Sequence, residues 1–186
     1  MDKVIVKSKY NKKFHLKFYY FHMFRKAVSF YFYLLAGVLA LYLAIQNTLD
    51  EAANLTNIMI SWGFAILIFL MIPVFLIGKV IQVVKQNQKE RKDTLELLEF
   101  TKAKIVRRIE GQESKTILGW EQFESAYELL DCFFLYIDKD RGLVIVKTDI
   151  VEGGVELFRK LIIQNFPKNK KGQPKFKKMY KEIKHD

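Results

Sequence analysis

Very few residues of this chain are placed to do chemistry. The histidines are His15, His22 and His185, and the single cysteine is Cys132. No set of His, Cys or carboxylate side chains falls at metal-ligand spacing. Asp138 and Asp140 flank Lys139 in a turn-forming run, where aspartate bonds to its own backbone. A calcium loop would need more oxygen ligands and a downstream glutamate. Gly153-Gly154 lacks the lysine and pattern of a phosphate loop, and no serine stands in a G-x-S-x-G elbow. Cys132 lies in an apolar run, so it reads as a buried, inert thiol. Asn54-Leu55-Thr56 has the form of a glycosylation sequon, read as coincidence because nothing else points to secretion. The expectation is a protein with no catalytic residue, no metal and no cofactor.

The elements that would hold any site are easier to read. Hydrophobic residues make up 51% of the 186 residues, yet the mean hydropathy is near zero. Polarity must therefore be segregated along the chain. Two runs carry no charge at all: Val28 to Ile45 and Ile58 to Gly78. At about 1.5 Å per residue they reach roughly 27 and 31 Å, against a hydrocarbon core of about 30 Å. They read as a transmembrane hairpin over 28–78, with helices at about 28–45 and 58–78. The first run starts late and lacks a small-residue cleavage site, so it reads as a span and not a signal core.

The formal net charge is +11. Lys9, Lys12, Lys13, Lys17, Arg25 and Lys26 precede the hairpin, and Lys79, Lys85, Lys89, Arg91 and Lys92 follow it. The connection, residues 46–57, carries only Asp50 and Glu51. The positive-inside rule then puts both termini in the cytoplasm and the connection outside. A membrane explains the basic charge more simply than nucleic acid does, and no nucleic-acid partner is expected.

Within the hairpin, Ala36, Ala40 and Ala44 recur every fourth residue, as do Ser61 and Ala65. Small residues at this spacing allow close helix packing, either between the two spans or in a homodimer. Pro73 should distort the second span. The spans hold no intramembrane charge, which argues against a transport pathway.

The basic aromatic arm, 1–27, starts with a weak alternation at residues 3–10 that could make an edge strand. Asn11 is a helix N-cap candidate, followed by Phe14, Phe18 and Phe21 at helical spacing. That helix could lie on the bilayer or pack on the cytoplasmic domain. After a helical linker at 79–94, the period changes. Short strands are expected at 95–100, 103–109, 114–118, 123–130, 132–137 and 143–147, with a turn at 138–142. Val155, Phe158, Leu161, Ile162 and Phe166 trace one face of a helix ended by Pro167. The fold class is an α+β membrane protein. Its spans anchor a small antiparallel β roll over 95–166, closed by a C-terminal helix. The basic tail, 167–186, interleaves lysines with Phe176 and Tyr180; it could sit on anionic lipid headgroups or be a disordered end.

This order of parts resembles the YcxB-like membrane proteins of bacteria. The run Thr116 to Phe123, containing Trp120, looks like the family's segment with a tryptophan after a strand. Glu128 and Phe133-Phe134-Leu135-Tyr136 look like the next motif. Leu143 to Ile150 and then Phe158 look like the last strand, loop and closing helix. Val146-Lys147 stands where the family commonly has proline before lysine. The resemblance implies a pleckstrin-homology-like β domain and brings no catalytic residues. Trp120, Phe123, Phe133, Phe134, Tyr136, Lys147 and Phe158 are its motif positions, with Trp120 either plugging the core or touching a partner or the bilayer.

The leading expectation is a non-enzymatic membrane protein whose cytoplasmic module binds a protein or lipid headgroups. Protection against a bacteriocin or envelope stress is an alternative, as is an accessory subunit of a membrane transporter or synthase complex.

Overall fold

The computed structural model describes residues 2–91, 94–138 and 141–180. The chain forms two compact units. One combines Met1–Phe18 with Asn87–Asp186, and the other is Tyr19–Gln86.

The first unit is built on a strand that the sequence places at an edge and the structure places inside. β1 (Lys3–Lys9) pairs antiparallel along its whole length with β2 (Leu95–Thr101), from Lys3 opposite Thr101 to Lys9 opposite Leu95. Its other side pairs with β8 (Ile150–Glu152), with an irregularity between Ile5 and Val6. The reason is burial: alternation turns Val4 and Val6 inward, and both are fully buried. β3 (Ile105–Ile109) and β4 (Lys115–Leu118) complete a sheet in the order β4-β3-β2-β1-β8. β3 starts later than expected because Thr101 and Lys104 close a turn on each other's backbone.

A second sheet has the order β7-β6-β5-β9. It contains β5 (Ser125–Glu128), β6 (Cys132–Tyr136), β7 (Gly142–Val146) and β9 (Phe176–Lys178). The sequence supplied no signal for β8 or β9. β9 also runs parallel to β5, so the basic tail is partly sheet, and the expectation of purely antiparallel strands is corrected there. Among the described residues no ladder joins the two sheets, which stay separate and do not close into a roll. Lys139 and Asp140 of the expected turn lie outside the described residues.

α5 (Gly154–Asn165) lays Phe158, Leu161 and Ile162 into the core between the sheets. The Phe158 ring meets Phe100 at 4.7 Å and Phe133 at 5.0 Å. The helix stops where Phe166 turns extended ahead of Pro167, as the proline ring demands. It starts at Gly153, where φ is +87°. A Cβ there would lie 2.6 Å from the Lys3 carbonyl oxygen and 2.7 Å from Val4 Cγ2. The absent side chain lets the helix start press against β1.

Helix α1 (Lys12–Arg25) is capped by Asn11, whose side chain accepts from the Lys13 N–H. It runs from the first unit into the second. The second unit continues with α2 (Val28–Leu49), α3 (Leu55–Ile66), a π turn (Leu67–Met71) and α4 (Ile72–Arg91). Two stretches, Phe30–Leu49 and Leu55–Arg91, are long and apolar enough to cross a membrane. The π turn comes just before Pro73, whose ring cannot accommodate the carbonyl four residues back in a regular α turn. α2 packs on α3 through Ala40, Ala44 and Ala65. Gly37 lies under the Phe69 ring. Ala36 and Pro73 are exposed, outside this seam, and Ser61 is half-buried beside it. The Trp62 indole N–H donates to the Thr48 hydroxyl at 3.0 Å, a polar tie between the two helices.

The two adjoining glycines offer a clean comparison. Gly154 also has a positive φ, but a Cβ there meets nothing within 4 Å. Gly154→Ala should cost about 1 kcal/mol from backbone conformation alone, and Gly153→Ala about 3 kcal/mol through the added collision with β1. Thermal unfolding of the purified protein, followed by near-ultraviolet circular dichroism, should rank them in that order.

Candidate functional site

All five residues of β6 are buried. Phe133 and Leu135 face the core between the sheets. Cys132, Phe134 and Tyr136 alternate onto the opposite face. There Phe18 of α1 meets Phe134 at 5.3 Å and Tyr136 at 5.0 Å. Gly142, opposite Tyr136 on β7, leaves room for this ring: a Cβ would stand 3.1 Å from it. Lys17, one residue before Phe18, forms an ion pair with Asp131. The first half of the arm helix therefore packs on the β unit, which answers one of the two alternatives for Phe18.

Burial governs the reactive groups on this face. It pushes the Cys132 thiol up to about 12, helped by the neighbouring Asp131 charge, so the thiolate needed for nucleophilic chemistry does not form near neutrality. Burial also raises the Tyr136 phenol above its ordinary range. His15 stacks on Tyr10 at 4.1 Å, shares a hydrogen bond with the Asn11 carbonyl, and is shifted down by burial. His185 lies outside the described residues. Asp138 accepts from the Arg141 backbone N–H at 2.8 Å and guanidinium at 2.6 Å, the local bonding expected of a turn aspartate. Among the described residues, no group of three His, Cys, Asp or Glu side chains could hold a metal ion.

Trp120 is buried at the end of the core. Its indole N–H donates to the Thr101 carbonyl at 2.9 Å, and its ring contacts Phe100, Phe123 and Phe166. Phe123 and Phe158 belong to the same cluster. Of the motif positions, Trp120, Phe123, Phe133 and Phe158 are brought together in this core, while Phe134 and Tyr136 lie on the reverse face of β6.

Lys147 belongs to a different constellation. Glu128, at the end of β5, is fully buried. Its Oε1 accepts from Lys147 Nζ, from an Arg159 guanidinium nitrogen and from the Tyr180 hydroxyl, each at 2.7 Å. Its Oε2 accepts from Arg159 Nε at 2.7 Å. Arg159 also pairs with Glu156 on its own helix. The Lys147 ammonium lies over the Tyr180 ring at 4.8 Å and the Phe133 ring at 5.1 Å. Burial alone would raise the Glu128 pKa, but the hydrogen bonds from Arg159, Lys147 and Tyr180 outweigh it and hold the carboxyl at about 2. Arg159 is pushed further up by the same bonds.

This cluster joins four parts of the chain: β5, the turn that follows β7, α5 and the tail. Beside it, the Ala126 N–H donates to the Lys175 carbonyl at 2.9 Å, and the Met179 N–H to the Glu128 carbonyl at 2.8 Å. Arg159 and Tyr180 were not singled out as site residues by the sequence. One signal was readable: alternation puts Glu128 on the same inward face as the small Ala126. An inward carboxylate requires cationic partners.

Glu128 titrates abnormally low in the folded protein, against an ordinary 4.5. Its stabilisation is therefore present above about pH 4.5 and fades as the pH falls toward 2. Glu128→Gln should remove that acid dependence and cost about 3 kcal/mol at neutral pH, because Lys147 loses its carboxylate partner and Arg159 keeps only Glu156. Urea unfolding of both proteins between pH 2 and 7 reads the difference.

Residues 100–162 match the family model described as YcxB-like protein. No curated protein and no solved structure matches the chain. The matched residues contain Trp120, Glu128, β6, Lys147 and Arg159, whereas β1, the apolar helices and Tyr180 lie outside them. By that match, the segment forming most of both sheets and α5 belongs to the YcxB-like family.

Proposed function

We propose that this is a two-span protein of the bacterial inner membrane. Its β unit, of pleckstrin-homology-like type, is held at the cytoplasmic face as a non-enzymatic module for binding a protein partner or lipid headgroups. The observation that carries the reading is the pairing of β1 with β2. The apolar helices lie between these strands in the chain, yet Lys9 stands opposite Leu95 in one ladder. Two strands of one ladder cannot sit on opposite sides of a bilayer, so both ends of the hairpin must share a side. The charges support the cytoplasmic side: the flanks carry lysine and arginine, and the connection carries only Asp50 and Glu51.

Other features support the finer points. One sheet contains β1 to β4, the other β5 to β7, and α5 follows them across the core; this order favours the pleckstrin-homology-like reading. The charged groups Glu128, Lys147 and Arg159 are satisfied by one another, which suits a structural role better than a catalytic one. Lysines of the arm and tail suit anionic headgroups, at about 1 kcal/mol for each residue near the surface. The exposed outer faces of α2 and α3 suit lipid, or a second copy of the hairpin.

Cysteine labelling tests the anchor, and the burial of Cys132 keeps the native thiol silent. Ala52→Cys should react with an impermeant maleimide on intact cells, and Glu113→Cys only after the cells are opened. The reverse pattern overturns the orientation. A photo-crosslinking residue at Ile117, half-exposed on β4, or at other exposed positions of the β unit should give discrete protein or lipid adducts in cells. No adduct from any of them overturns the interaction role.

A further inference from the structure

The tail strand has the form of a docked peptide more than of a sheet member. β9 contributes three residues and pairs parallel with the outer edge of β5, Phe176 opposite Ala126 and Lys178 opposite Glu128. Two backbone bonds bracket the contact, from Ala126 N–H to the Lys175 carbonyl and from Met179 N–H to the Glu128 carbonyl. Specificity comes from two side chains four residues apart. Phe176 packs against the core cluster and the Tyr180 hydroxyl donates to buried Glu128, while Lys178 lies over the Tyr180 ring at 4.8 Å within the segment itself. Backbone bonds for affinity and alternate side chains in pockets for selectivity are how an extended ligand adds to a sheet edge.

The connection also behaves as a tether. After Phe166 the chain turns back on itself through Asn169, whose backbone N–H donates to the Gln173 carbonyl and whose carbonyl accepts from Gly172. A single isolated bridge joins Lys168 and Pro174. Most of the segment's backbone bonds close within itself, Lys175 N–H to the Pro167 carbonyl and Phe176 N–H to the Pro174 carbonyl among them, whereas its ladder to β5 is only three residues long; a short tether supplies an effective concentration in the millimolar range.

We propose that the outer edge of β5, ending at Glu128, is an acceptor site for an extended segment carrying an aromatic residue and, four positions on, a tyrosine, and that the chain's own Pro174–Tyr180 is its resident, self-blocking occupant. The proposal rests on the reading of the β unit as an interaction module and gives that module a site. A partner with this pattern binds when the tail is displaced. The phenol finds the same four-way arrangement with Glu128, Lys147 and Arg159.

The test uses the full chain in detergent, with a sequence-specific protease site placed at Lys170–Gly172. The probe is a fluorescent peptide of residues 173–180. After cleavage the severed tail should leave on dilution, and the probe should bind saturably, at least tenfold more tightly than to the uncleaved chain. Tyr180→Phe in the probe should weaken binding several-fold, as should Glu128→Gln in the cleaved chain. A scrambled peptide of equal charge should not bind. Three results would overturn the proposal: the severed tail stays bound and does not exchange with the probe, cleavage unfolds the β unit, or the scrambled peptide binds equally well. The outcome does not depend on membrane orientation. Reversed cysteine labelling with intact peptide exchange would therefore remove the cytoplasmic reading alone, and failed exchange with the expected labelling would remove the acceptor site alone.

Discussion

The ladder between β1 and β2 is the contact on which the rest of the structure depends. It joins the third residue of the chain to the hundred-and-first and the ninth to the ninety-fifth, so residues 10–94 form an excursion from one sheet. Val4 and Val6 supply the inward face of this ladder. Remove β1 and the sheet loses its member between β2 and β8, and α5 loses the backbone against which Gly153 presses. The matched segment at 100–162 thus completes its core with residues from far outside it. A β unit of this size has little core to spare, which is why a seven-residue strand matters so much.

The second organising interaction is polar and sits at the end of β5. A carboxylate with no exposure is tolerated only when each lone pair is used. Glu128 meets that condition through Lys147, Arg159 and Tyr180. Such a cluster adds little net stability compared with a well-packed apolar one. It is selective, because each partner comes from a different element and only one docking of α5 and the tail satisfies them all. The core aromatics are less demanding: several packings of Phe100, Phe123, Phe158 and Trp120 could fill the same volume.

The parts visible in the sequence were those carried by local pattern. Two uncharged runs announced the long helices, period-3.6 spacing from Val155 to Ile162 announced α5, and Asn11 announced the start of α1. Strands β2 to β7 were found with their ends displaced by a few residues, because turns such as Thr101–Lys104 end a strand without a glycine or proline to mark it. What was hidden depends on partners distant in sequence. Lys3, Lys7 and Lys9 gave β1 the look of an edge, since charge on a short strand is a usual edge signal; its lysines lie outward while Val4 and Val6 point in. β9 was hidden for a similar reason: Phe176-Lys177-Lys178 has low strand propensity, and only an open β5 edge makes it one. In the helices, the alanine repeat was right in spacing for Ala40 and Ala44. The helix drifts from strict fourth-residue register, so Gly37 and not Ala36 continues the seam. Of the candidate site, Glu128 and Lys147 were visible as motif positions, but their link to each other and to Arg159 and Tyr180 was a matter of tertiary structure.

The chain order also constrains how such a protein can assemble. β1 is made first but cannot pair until β2 has been made, after both apolar helices. Pairing across so long an excursion is entropically costly for a free chain. It is less so once α2 and α3 have packed through Ala40, Ala44 and Ala65, because the excursion then doubles back and is no longer random. On this argument the helical unit forms first and the β unit closes around its own N-terminal strand afterwards. Until then Val4 and Val6 are exposed and β2 has an open edge, the state most prone to wrong pairing. The Lys17–Asp131 pair and the seating of Phe18 on β6 also become available only after the later strands exist. The arm helix is thus a late contact, and closing the sheet onto β1 is the step that commits both ends of the apolar excursion to one domain.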